Sequence, residues 1–123
     1  MTANNFDEFV IPMADEAPHA VILDWYRRLE LMIRDYLTSR RLSYQNGPYA
    51  EAVIAHDVSL GVEVASEIKR LRWFRNEIAH GSHALTSGQA IAFARDALDL
   101  IGQLWRAEDA HASSVTANSY ESG

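Results

Sequence analysis

No cysteine occurs anywhere in the 123 residues, which excludes a disulfide framework, a thiolate metal site and a thiol nucleophile. A reducing, cytoplasmic compartment is the expectation that follows. Long apolar runs are missing too. No aliphatic stretch exceeds four residues, as in Ala20 to Leu23, far below the ~20 that cross a bilayer, and no basic region followed by an apolar stretch opens the chain. The sequence therefore reads as having no membrane anchor and no secretion signal. Positive charge is also scarce, with 11 Lys plus Arg against 17 Asp plus Glu and a formal charge of −6. Taken as a single number, that deficit argues against nucleic acid, whose affinity for proteins comes largely from phosphate contacts with Lys and Arg.

Its position along the chain changes the inference. Residues 1–16 carry Asp7, Glu8, Asp15 and Glu16 without a base, and residues 107–123 carry Glu108, Asp109 and Glu121 without a base. What remains, residues 17–106, holds all 11 bases against ten acids and is close to neutral. Three segments follow: an acidic N-terminal extension over 1–16, a helical domain over 17–106 and a tail over 107–123. From Ala110 to Gly123 the residues are small, polar and aperiodic, so the tail is expected to be disordered. Phe6, Phe9, Val10 and Ile11 give the N-terminal extension enough apolar surface to dock as a short extra turn of helix. With 48% hydrophobic residues, a chain of this length closes a single core.

Strand-like alternation is absent between the flanks, where apolar residues recur at helical spacing instead. A first helix is predicted from Pro18, suited to a first turn whose N–H has no partner to lose, to about Arg40. Its core stripe is Ile22, Tyr26, Leu29, Ile33 and Leu37, while Asp24–Arg28 and Glu30–Arg34 are acid-then-base pairs on an exposed face. Asn46-Gly47-Pro48 breaks the chain into a helix-to-helix loop. A short second helix over Tyr49 to about Asp57 and a third from about Val62 to His80 come next, with Gly81 placed to end the third. Thr86 and Gln89 match a capping box opening the fourth helix through Ile91, Ala94, Leu98, Ile101 and Trp105. The expected fold class is all-α, a four-helix bundle with a short second helix.

On the third helix, Val64, Ile68, Leu71, Phe74 and Ile78 form one stripe, and at 100° per residue Arg75 lands inside it. A guanidinium at a core position needs a carboxylate, a carbonyl, a second subunit or a bound anion, with Glu30 and Asp35 of the first helix as internal candidates. His80 lies five residues on, about 140° around the cylinder, so the two side chains do not simply point together. A histidine beside guanidinium groups suits proton transfer at a phosphate. Lys69, Arg70 and Arg72 extend the basic strip. Metal chemistry is not expected: His80 and His83 would share a face only if the helix continued through Gly81, and His56-Asp57 alone is too short a match to a metal phosphohydrolase.

The string from Leu71 to Gly81 resembles the signature of the HEPN superfamily, an Arg followed by a polar residue, then His at a helix end after four to six intervening positions. Arg75, Asn76 and His80 fit with four intervening residues, and the resemblance spans about residues 18–106. It implies a HEPN-like helical bundle that dimerises, with Arg75 of one chain facing His80 of its partner in a shared cleft. It further implies a metal-independent endoribonuclease of toxin–antitoxin, phage-defence or RNA-processing systems, needing no cofactor. His80 would move the proton at the ribose 2′-OH or the leaving 5′-oxygen, Arg75 would stabilise the phosphorane, and Asn76 would bind the phosphate. Lys69, Arg70 and Arg72 would serve the RNA, and the products would end in 2′,3′-cyclic phosphate. Inactive family members imply an alternative, a non-catalytic module that binds itself or a protein such as a nucleotidyltransferase-type antitoxin.

Overall fold

The computed structural model describes residues 3–42, 47–81 and 84–122, and all regular structure among them is helical. In chain order the elements are α1 (Ala3–Glu16), α2 (Pro18–Ser39), α3 (Pro48–Ala55), α4 (Gly61–Ala79) and α5 (Ser87–Ser122). The long helices α2 and α5 form the central pair. α1 lies across both, and α4 rests on α3 and α2.

Why α2 sits at the centre follows from its periodicity. Ile22, Tyr26, Leu29, Ile33 and Leu37 are all buried, joined by Val21, Trp25 and Tyr36, so the helix is covered on more than one side. Leu29 and Leu37 are fully enclosed together with Leu100 and Leu104 of α5, and each such side chain contributes roughly 1.5–3 kcal/mol by leaving water. α4 and α5 share an aromatic contact, with the Phe74 and Phe93 ring centroids 5.7 Å apart.

Five helices stand where four were expected, and the extra one is α1. Its fourteen residues are a complete helix rather than a single turn, because Phe6, Val10 and Ala14 recur at i+4 and are all buried. Phe6 meets Trp25 edge-on at 5.2 Å between centroids. Pro12 occupies the exposed side of α1, and Pro18 ends the helix by holding Ala17 out of the helical region at φ −146°, ψ 69°. The expected disorder after residue 107 is also corrected: α5 continues to Ser122. Small polar residues nucleate helices poorly, yet adding turns to an existing helix costs far less than starting one, and several of these residues are alanine.

Other boundaries lie close to those predicted. Gly47 adopts φ +62° and Gly81 φ +72°, backbone that an L side chain resists, at the points where α3 begins and α4 has ended. Asn46, the first residue of the predicted break, lies outside the described residues. The capping box ahead of α5 is reciprocal: the Gln89 N–H donates to Thr86 Oγ1 at 3.1 Å and the Thr86 N–H to Gln89 Oε1 at 3.0 Å.

A buried polar cluster pins the end of α2 to the turn before α4. The Tyr36 hydroxyl donates to Asp57 Oδ2 at 2.9 Å, and Arg40 Nη1 donates to that hydroxyl at 2.9 Å while lying 3.3 Å from the same carboxylate. Asp57 Oδ1 accepts from the backbone N–H groups of Ser59 and Leu60. Burial foremost, then the bond to Asp57, pushes the Tyr36 phenol up to about 12. The His56-Asp57 dipeptide is thus divided, with Asp57 consumed by this cluster and His56 exposed.

Candidate functional site

α4 carries every base from Lys69 to Arg75, and the fold treats them differently. Arg72 reaches Glu51 of α3 through Nε to Oε2 at 2.5 Å and Nη2 to Oε1 at 3.3 Å. Glu51 is only 7% exposed, so this is a two-point pair largely withdrawn from water, and the carboxylate drives the Arg72 pKa further up. Arg70 is held by Glu67 one turn earlier and by Asp96 of α5, at 2.6 Å to the latter. Its guanidinium holds the Glu67 carboxyl below its usual range. Lys69 is exposed, forms no ion pair among the described residues, and borders a cleft of about 400 Å³ between α3 and α4 with Ser66 and Val62.

Arg75 is half-buried. Neither Glu30 nor Asp35 holds it, and among the described residues no carboxylate lies within ion-pair distance of its guanidinium. Instead its Cζ sits 5.5 Å from the centre of the Tyr26 ring, and Nη1 donates to Asn76 Oδ1 at 3.1 Å. The seat is an aromatic face, which attracts a cation without neutralising it. Tyr26 itself is buried, and that burial, with Glu30 adding to it, pushes its phenol up to about 12.

His80 caps α4. Its backbone N–H donates to the Asn76 carbonyl at 3.2 Å, and Gly81 closes the turn on the Ile78 carbonyl at 3.0 Å. The residue after Ala79 is therefore held helical at φ −80°, with the imidazole exposed. Arg75 and Asn76 are joined side chain to side chain, whereas His80 meets Asn76 only through the backbone. Along the helix axis Arg75 and His80 are about 7.5 Å apart. His83, the other histidine of the possible metal pair, lies outside the described residues, and among those described no three His, Asp or Glu groups are placed to hold a metal.

Sequence reasoning found Arg75, Asn76 and His80 but not their settings. It missed Glu51 and Asp96, which neutralise two of the four bases, and Tyr26 as the seat of Arg75. One signal was available: Glu51 interrupts the otherwise apolar helix Pro-Tyr-Ala-Glu-Ala-Val-Ile-Ala. An acid in such a helix calls for a cation. What the arrangement offers chemically is one exposed imidazole, one amide and one guanidinium with open hydrogen-bonding capacity, within two turns at the end of a helix. No family model, curated protein or solved structure matches this chain.

Proposed function

We propose that this chain is a HEPN-type, metal-independent endoribonuclease whose active site is composed by two copies. The observation that carries the reading is the contrast at Arg75: Arg70 and Arg72 are matched by carboxylates, while Arg75 rests on a ring and an amide with its charge uncancelled by any described residue. A guanidinium so placed suits an incoming phosphate better than a structural role. Membrane insertion is not part of the proposal, and none of the described helices is long and apolar enough to cross one.

In the proposed reaction His80 removes the proton of a ribose 2′-OH, and the 2′-oxygen attacks the adjacent phosphorus. The bond from phosphorus to the 5′-oxygen breaks, that oxygen takes a proton from solvent water, to which His80 returns the one it removed, and the fragments carry a 2′,3′-cyclic phosphate and a 5′-hydroxyl. Arg75 meets the charge on the pentacoordinate phosphorus, where a preplaced donor acts most strongly on the transition state. Asn76 links the two roles, since its amide oxygen holds Arg75 and its amide N–H groups can reach a phosphate oxygen. Supplying Arg75 and His80 from opposite chains removes the angular mismatch within one helix.

Purified protein incubated with RNA in excess EDTA tests this. Cleavage that persists in EDTA, leaves cyclic phosphate ends and falls by about 100-fold or more in His80→Ala is the expected result. Cleavage abolished by EDTA, or undiminished in His80→Ala, overturns it.

One observation favours a second reading, a non-catalytic module that binds a protein. Between α1 and α2 an apolar cleft of about 450 Å³ is lined by Phe9, Met13, Val21 and Trp25, and Phe9 is 66% exposed. Under that reading, mutation of Phe9 removes partner binding and His80→Ala changes nothing.

A further inference from the structure

One side of α4 carries a row that neither the core nor the ion pairs use. With Val64 at zero and 100° per residue, Val62, Ser66, Lys69, Trp73, Asn76 and His80 fall between about 120° and 200°, opposite the buried stripe of Val64, Ile68, Leu71 and Ile78. The steps alternate four and three residues, so the row runs straight along the helix for about 27 Å. It contains no carboxylate, and the nearest acid on the helix, Glu77, stands at its edge near 220°. Trp73 is 57% exposed. What sets this indole apart is its neighbour: Lys69, one turn earlier in the same carboxylate-free row, is exposed and forms no ion pair among the described residues, so a cation and an aromatic face stand side by side uncovered.

We infer that this row is the track of a single-stranded RNA, with the Lys69 ammonium on a backbone phosphate and the Trp73 indole as the platform for one unpaired base. The inference rests on the nuclease reading and names its substrate class. Lys69 precedes Trp73 by one turn, about 6 Å, and His80 follows it by two, about 10 Å. A cation, then an aromatic face, then the reacting groups is the order in which a strand is gripped by its backbone, fixed by a stacked base and presented at a phosphate. A duplex does not fit this row, because its bases are already stacked and its recognition runs through 2′-hydroxyls and phosphates across a groove. Stacking accepts any base, since each has a π-face, so the track selects strandedness over sequence.

The test uses the full chain and a fluorescein-labelled 2′-O-methyl oligouridine, which lacks the attacking hydroxyl and cannot be cut, with a duplex of equal length beside it. Anisotropy should show the single strand bound more tightly than the duplex. Trp73→Ala should weaken single-strand binding by about 5- to 150-fold, the usual range for a lost stacked base, and Trp73→Phe should recover most of it. Lys69→Ala should lower the slope of log affinity against log salt by about one. Trp105→Ala, which removes an indole of similar exposure (59%) from α5, should change nothing. Unchanged binding in Trp73→Ala, equal binding of the duplex, no binding by the parent, or a loss of dimer on light scattering in Trp73→Ala each overturns the track. The last of these would make the indole a contact between copies. If the oligonucleotide binds through Trp73 but unmodified RNA is not cut, the track stands and the nuclease reading falls.

Discussion

The middle of α4 and its last two turns carry the same chemistry in opposite states. Arg70 and Arg72 are closed against Glu67, Asp96 and Glu51, and so fasten α4 to α5 and α3. Nearer the helix end, Arg75, Asn76 and His80 fasten α4 to nothing by charge: Arg75 lies on the Tyr26 ring, and His80 is exposed at the helix end. Lys69 apart, the bases of α4 thus divide into an anchored half and an open half. Counting bases along the strip does not identify which of them meet an anion. Their internal partners do.

The anchored half should be costly to disturb. Glu51→Ala removes the carboxylate and leaves Arg72, mostly covered, with an uncompensated charge, so urea denaturation should show a loss of about 3–5 kcal/mol. A loss below about 1 kcal/mol would mean that the pair behaves as a solvated surface pair.

Alkaline pH should come next. Tyr26 and Tyr36 are both pushed to about 12 from an unfolded value of 10.0. Because folding raises both values, the stability linked to the neutral phenols is fully present below pH 10. It drains as the unfolded chain ionises between pH 10 and 12, a loss on the order of 2 kcal/mol per tyrosine. Denaturation curves across that window should flatten in Tyr36→Phe, and an unchanged slope would remove Tyr36 from the account.

A smaller effect belongs to the cap beyond the open half. Thr86→Ala breaks the reciprocal capping pair with Gln89 and should lower stability by about 1 kcal/mol without touching RNA cleavage. Smallest of all should be Arg75→Met, which keeps the stem and loses only a cation over a ring, for a change within about 1 kcal/mol. The same variant should lose cleavage. Stability lost on the scale of Glu51→Ala would place Arg75 in the anchored half and erase the division.

Much of the helical frame was legible because it rests on local periodicity. The stripe of Ile22, Tyr26, Leu29, Ile33 and Leu37 is buried as a period of 3.6 requires, and Gly81 and the Thr86–Gln89 pair mark helix ends through interactions a few residues long. α1 was harder to see, since Pro12 and four acids mask a stripe of only Phe6, Val10 and Ala14. Ala110 to Ser122 is small and polar by composition yet helical in the fold, because it extends a helix that has already begun. For the site, the residues were legible and their charge states were not. Arg70 with Asp96 spans 26 positions and Arg72 with Glu51 spans 21, and no local rule joins residues that far apart.

The composite site can be tested most directly by mixing two disabled chains. Arg75→Ala and His80→Ala should each be inactive alone. After joint refolding, half of the dimers pair one variant with the other, and each of those rebuilds one intact site of two, so cleavage should return to about a quarter of the parental rate. A mixture as inactive as its components, or single variants that cut RNA as the parent does, would contradict a site shared between two copies of α4.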